Sequence, residues 1–131
     1  MKYLLLLLIV IAAVVATPVS SSPTWRDFHD VDQLTEWAEE HTRITLLWGD
    51  GLPTTCVDYS LNFQREAYLD GYRVSVAYTW DGYLCQGIKV TNTMGVHWGA
   101  MAMAGASVYY IDTAPGKFKI TRVGPIQSRR M

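Results

Sequence analysis

The sequence predicts an α+β domain in which N-terminal helices pack on an antiparallel sheet. Three observations carry this. Apolar residues recur at helical spacing in two stretches before residue 71. After Gly71 the period changes to two, and short Gly-containing turns then divide the chain into strand-length runs. The chain has 131 residues, half of them hydrophobic, which gives room for one domain with one core. A formal charge of -1 with interspersed signs offers no basic footprint for nucleic acid.

The chain opens "MKYLLLLLIVIAAVVAT", a single Lys ahead of an unbroken apolar run from Leu4 to Ala16. The run is shorter than the roughly 20 residues that span a bilayer as a helix, and Val14 and Ala16 place small residues before a cut. Residues 1–16 therefore read as a signal peptide, with a short membrane anchor as the alternative; membrane contact is expected only if this segment is retained. Residues 17–24, "TPVSSSPT", have linker composition, and the domain is expected over residues 25–131. The expected location is secreted or extracytoplasmic, in the periplasm or at the cell surface. Loss of residues 1–16 removes one Lys, leaving 10 basic against 12 acidic residues.

The first helix is predicted in "DVDQLTEWAEEHT". Asp30 and Gln33 have capping-box spacing, and Leu34, Trp37, Ala38 and His41 share a face. "RITLLW" is either an extended piece or a continuation, and "GDGLP" supplies turn chemistry. The second helix is predicted to start at "TTCVDYS", capped by Thr55 with Asp58 in its first turn, and to stop at Gly71. Cys56, Ser60, Phe63 and Ala67 form one row along it.

Alternation then puts Tyr72, Val74, Val76, Tyr78 and Trp80 on one face of a strand. Asp81-Gly82 is a hairpin dipeptide and predicts a return strand in "YLCQGIKV". A second hairpin is predicted from "VHWGAMAMA" to "SVYYID" around Gly105, and "KFKITRV" is the last strand.

Cys56 poses the functional question. The unpaired N–H groups of a helix's first turn favour a thiolate, and a nucleophilic thiol needs a base that is itself oriented by an acceptor. His97 and Asp112 are the candidates. An even turn of Gly105-Ala106 places position 99 opposite 112, making His97 and Asp112 a diagonal pair on one face. A turn of Ala104-Gly105 places them directly opposite, and an odd turn separates them. In the competing reading, Cys56 and Cys85 form a disulfide, as suits an exported chain; closing a loop of about 30 residues would stabilise it by about 3 kcal/mol. His29 and His41 fit a surface position and a helix end, and neither has a second ligand at metal-site spacing, so no metal is expected. No cofactor motif is present.

The segments "CVDYS", "LDGYRV", "VHWGA" and "YYIDT", in this order, resemble the transglutaminase-like superfamily, in particular its cysteine-peptidase branch. The resemblance runs from about Trp37 to Asp112. It implies a transglutaminase-like or papain-like cysteine peptidase fold, with Cys56 as nucleophile, His97 as general base and acid, and Asp112 as the orienting carboxylate. The oxyanion would be held by the Cys56 N–H and a further donor, for which Trp48 Nε1, just before the Gly-containing loop, is the candidate. The implied activity is a peptidase or amidase acting on a peptide or protein substrate of the cell envelope. A transglutaminase-type acyl transferase and a noncatalytic secreted binding module are the alternatives.

Overall fold

A computed structural model describes residues 24–44, 55–85 and 87–125. The expected signal peptide, the linker up to residue 23, and Trp48 lie outside the described residues. Among the described residues two helices precede a four-stranded antiparallel sheet: α1 (Val31–Ile44), α2 (Cys56–Leu69), β1 (Val74–Trp80), β2 (Val96–Ala104), β3 (Ser107–Asp112) and β4 (Lys119–Pro125), with sheet order β1-β2-β3-β4. The α+β class is as the sequence predicts.

Helix α1 starts where Asp30 Oδ1 accepts the Gln33 N–H at 2.8 Å. Gln33 Oε1 accepts from the His29 N–H at 2.7 Å, so one arm of the predicted capping box reaches a residue further back. Leu34, Trp37 and Ala38 are buried. In α2 the box is complete: Thr55 Oγ1 accepts the Asp58 N–H and Asp58 Oδ2 accepts the Thr55 N–H. The helix ends on Gly71 at φ +81°, where a side chain would be strained. The Gly71 N–H donates to the Tyr68 carbonyl and the Tyr72 N–H to the Ala67 carbonyl, the paired bonds of a Schellman motif.

The two sheet faces have different covers. The helices lie on the face formed by Val74, Ala100, Ala102, Ala104 and Ile111, joined there by Phe63 and Ala67 of α2 and Leu34, Trp37 and Ala38 of α1. Three alanines in alternate positions of β2 leave little side-chain bulk between the sheet and Phe63. Phe28, in the segment before α1, hydrogen-bonds to β2 at Met103 and stacks on Tyr72 at 4.1 Å between ring centroids. On the other face, Tyr110 packs with Leu84 and Val90, and Ala77, Ile88, Met101 and Val123 surround them.

That second cover corrects the predicted first hairpin. Asp81 and Gly82 both have positive φ, and Trp80 and Tyr83 exchange backbone hydrogen bonds at 2.9 Å, so the turn itself forms as expected. Residues 83–85 and 87–90 do not continue as a strand. The Gly87 N–H donates to the Leu84 carbonyl, the Leu84 N–H to the Ile88 carbonyl, and the Val90 N–H back to Gly82, curling the segment over the sheet. β1 pairs instead with β2. Gly82 is needed for this curl, because a Cβ there would overlap the Thr91 carbonyl. The expected apolar face of β1 is buried deeply only at Val74; Tyr78 and Trp80 are 60% and 63% exposed, and Tyr72 precedes the strand.

Candidate active site

The β2–β3 turn has the even form. Ala104 pairs with Ser107 and Ala100 with Ile111, so the register places Gly99 opposite Asp112 and His97 diagonal to it. His97 Nε2 lies 2.9 Å from Asp112 Oδ1, and both residues are only 4% exposed. The same Oδ1 accepts the Ala114 N–H at 3.2 Å, so the chain leaving β3 also fixes the carboxylate. Neighbouring β1 contributes Thr79, whose Oγ1 donates to the His97 carbonyl at 3.3 Å. With the ring's Nε2–H directed at Asp112, Nδ1 is left as the basic nitrogen, and it makes no hydrogen bond among the described residues.

The pair lies on the Tyr110 face of the sheet, since His97, Gly99, Met101, Tyr110 and Asp112 share parity in the register. Cys56 belongs to α2, which covers the opposite face, and its row includes Ser60, Phe63 and Ala67. The two meet at the margin where β3 ends. Ser60 Oγ donates to the Cys56 carbonyl at 2.7 Å and lies 3.3 Å from Thr113 Oγ1, one residue beyond Asp112. Cys56 is half-buried, and no hydrogen bond joins its Sγ to the His97 ring among the described residues. The structure thus brings His97 and Asp112 together and anchors the first turn of α2 beside them, without closing a thiol–imidazole contact. Cys56 and Cys85 are both free thiols, Cys85 being exposed on the curled segment.

Tyr110 is a participant that the sequence did not single out. It is fully buried, and it stands over Gly99 so closely that a Cβ at 99 would overlap its hydroxyl. Burial pushes its phenol well above the usual tyrosine range, and the neighbouring Asp112 and Cys56 push it further in the same direction. Thr79 lowers it slightly, but the Thr79 and Tyr110 oxygens do not reach hydrogen-bond geometry, so the buried Oη is without a partner among the described residues. A Gly two residues after His97 inside a strand was the available signal for such a close approach.

His41 is paired as well. Its Nε2 lies 2.9 Å from Asp70 Oδ2, which also accepts from Trp37 Nε1 at 2.8 Å, while His41 Nδ1 faces the Trp37 carbonyl at 2.7 Å and the imidazole stacks on the indole. His29 is a surface residue beside Asp30. Among the described residues no group of three or more His, Cys, Asp or Glu is placed to hold a metal ion, and no helix is long and apolar enough to cross a membrane. Compared with protein-family models, with curated proteins and with solved structures, the chain matches none.

Proposed function

We infer that the protein is a cofactor-independent thiol hydrolase, a peptidase or amidase of transglutaminase-like fold acting on a peptide-like amide outside the cytoplasm. The observation that carries this reading is the buried His97–Asp112 pair with Nδ1 left open, next to the anchored first turn that bears Cys56. Cys56 Sγ attacks the amide carbonyl and its proton passes to His97 Nδ1, with Asp112 holding the imidazolium. The C–N bond then breaks as that proton goes to the leaving amine, and water, deprotonated by the same nitrogen, releases the acid from the thioester. The first-turn N–H of Cys56 is a donor for the oxyanion, and Trp48 remains the candidate for a second. This route requires the His97 ring and the thiol to meet across the sheet margin when substrate is bound. The N-terminal apolar run supports the extracytoplasmic setting.

The test is hydrolysis of a mixed peptide library by the reduced protein, with and without a primary amine. Cleavage that is lost in Cys56→Ser and His97→Ala supports a hydrolase, and amine incorporation without cleavage reassigns it as an acyl transferase. A second reading, a secreted binding module, is favoured by the open thiol–imidazole gap and by Tyr78, Trp80 and Val96, which stand exposed at one end of the sheet. Absence of turnover and of any adduct with amide-directed thiol traps selects that reading.

A further inference from the structure

A cavity of about 530 Å³ opens beside Asp112, lined by Lys89, Lys117 and Lys119 together with Thr91 and Asn92. None of the three lysines makes an ion pair among the described residues. For Lys119 this is informative, because it is the cross-strand partner of Asp112, the position at which opposite charges ordinarily pair. Asp112 instead directs Oδ1 to His97 and the Ala114 N–H. Lys89 comes from the curled segment, its ammonium 5.8 Å from the Tyr83 ring centroid. The three cations therefore come from two separate parts of the chain, and they outnumber the single carboxylate on the walls in a protein whose overall formal charge is -1. A concave site lined by one sign of charge concentrates ligands of the other sign.

We propose that this cavity binds carboxylates of an acidic peptide substrate and thereby selects amides that lie next to acidic residues. The proposal deepens the hydrolase reading and rests on it for the fate of the bound peptide. Lys89, Lys117 and Lys119 hold the carboxylates, Thr91 and Asn92 offer hydrogen bonds to the adjoining backbone, and the scissile amide extends past Asp112 toward the sheet margin. The covalent step is unchanged; the lysines bind and orient.

The experiment is calorimetric titration of the full chain with acetyl-Ala-Glu-Glu-Ala-amide and with its Gln-Gln counterpart, in wild type and in K89Q/K117Q/K119Q, followed by product analysis. The acidic peptide is expected to bind at least about tenfold more tightly than the neutral one at low salt, and the preference is expected to collapse in the triple variant and at high ionic strength. Equal affinities for the two peptides, or a preference that survives the triple substitution, overturns the proposal. The triple variant's circular dichroism confirms that lost binding is not lost folding, and K117Q/K119Q alone should give an intermediate preference. Tight acidic binding without cleavage in wild type removes the hydrolase reading and leaves the anion site standing. Cleavage of both peptides with equal affinity does the reverse.

Discussion

Three histidine–aspartate pairs among the described residues share a 2.9 Å contact; His29–Asp30 joins chain neighbours at the surface, and the two that join distant parts of the chain differ in their surroundings. His41–Asp70 is built on helices and is partly open, with side-chain exposures of 13% and 45%. Both ring nitrogens face oxygens, and the Trp37 indole shares the carboxylate while stacking on the imidazole. It ties α1 to the C-terminal end of α2. His97–Asp112 is built on adjacent strands, buried on both sides, and leaves Nδ1 without a hydrogen bond among the described residues. A pair with both ring nitrogens engaged is a clasp, whereas a pair with one ring nitrogen in reserve is equipped for proton transfer. Contact distance alone does not distinguish them.

The comparison breaks most sharply in activity. His97→Ala is expected to lower peptide hydrolysis by about a hundredfold or more, the usual worth of a positioned general base. His41→Ala should leave the rate unchanged and lower stability by about 1 kcal/mol through the lost hydrogen bonds. Rate assays paired with urea unfolding check both. Equal rate losses in the two variants contradict the division of roles.

Next in size is Gly99→Ala. Its Cβ would overlap Tyr110 Oη and the Ile111 carbonyl oxygen, forcing β2 and β3 apart where His97 reaches Asp112. A destabilisation of about 1–3 kcal/mol is expected from such overpacking. The rate should fall with it, while the fluorescence of Trp37, beside His41, stays native. A Gly99→Ala variant as stable as wild type contradicts the packing described for Tyr110.

Both pairs rest on elements that were unequally legible in the sequence. Helix α2 could be read almost to the residue, because Thr55, Asp58 and Gly71 act through local backbone geometry. The sequence admitted the β2–β3 register without fixing it: of the turns open around Gly105, the Gly105-Ala106 form, which sets His97 diagonal to Asp112, is the one that forms. The 83–90 segment was not legible as it folds. Its apolar residues suit a strand, but β1 already pairs with β2, and Leu84 and Val90 are buried where they cover Tyr110. The faces to which His97 and Cys56 belong were not legible either, since alternation gives parity and only tertiary packing decides which parity the helices cover. The Ser60–Thr113 contact and the His41–Asp70 clasp join residues far apart in sequence, with no local signature.

The smallest expected effect sharpens the polarity of the buried pair. Tyr110→Phe deletes an unpartnered hydroxyl, so stability at neutral pH should be unchanged or rise by up to about 1 kcal/mol. Because burial, Asp112 and Cys56 raise the folded phenol, its contribution is fully present below the ordinary tyrosine value of about 10 and is lost as pH rises toward the folded one. Wild type should therefore lose stability above about pH 10 more steeply than Tyr110→Phe. Identical alkaline profiles in thermal melts contradict the buried, negatively flanked site assigned to Tyr110.

The proposed hydrolase chemistry depends on His97 serving Cys56. Its most direct test is the rate of iodoacetamide alkylation at Cys56 and Cys85 in the folded protein across pH, read by mass spectrometry in wild type and in His97→Ala. Cys56 is expected to react faster than Cys85 at neutral pH, and this advantage is expected to be reduced or lost in His97→Ala, while Cys85 is indifferent to the substitution. Equal rates for the two thiols in wild type, each following an ordinary thiol profile near about pH 8.5, would contradict it, as would a Cys56 rate unaffected by removal of His97.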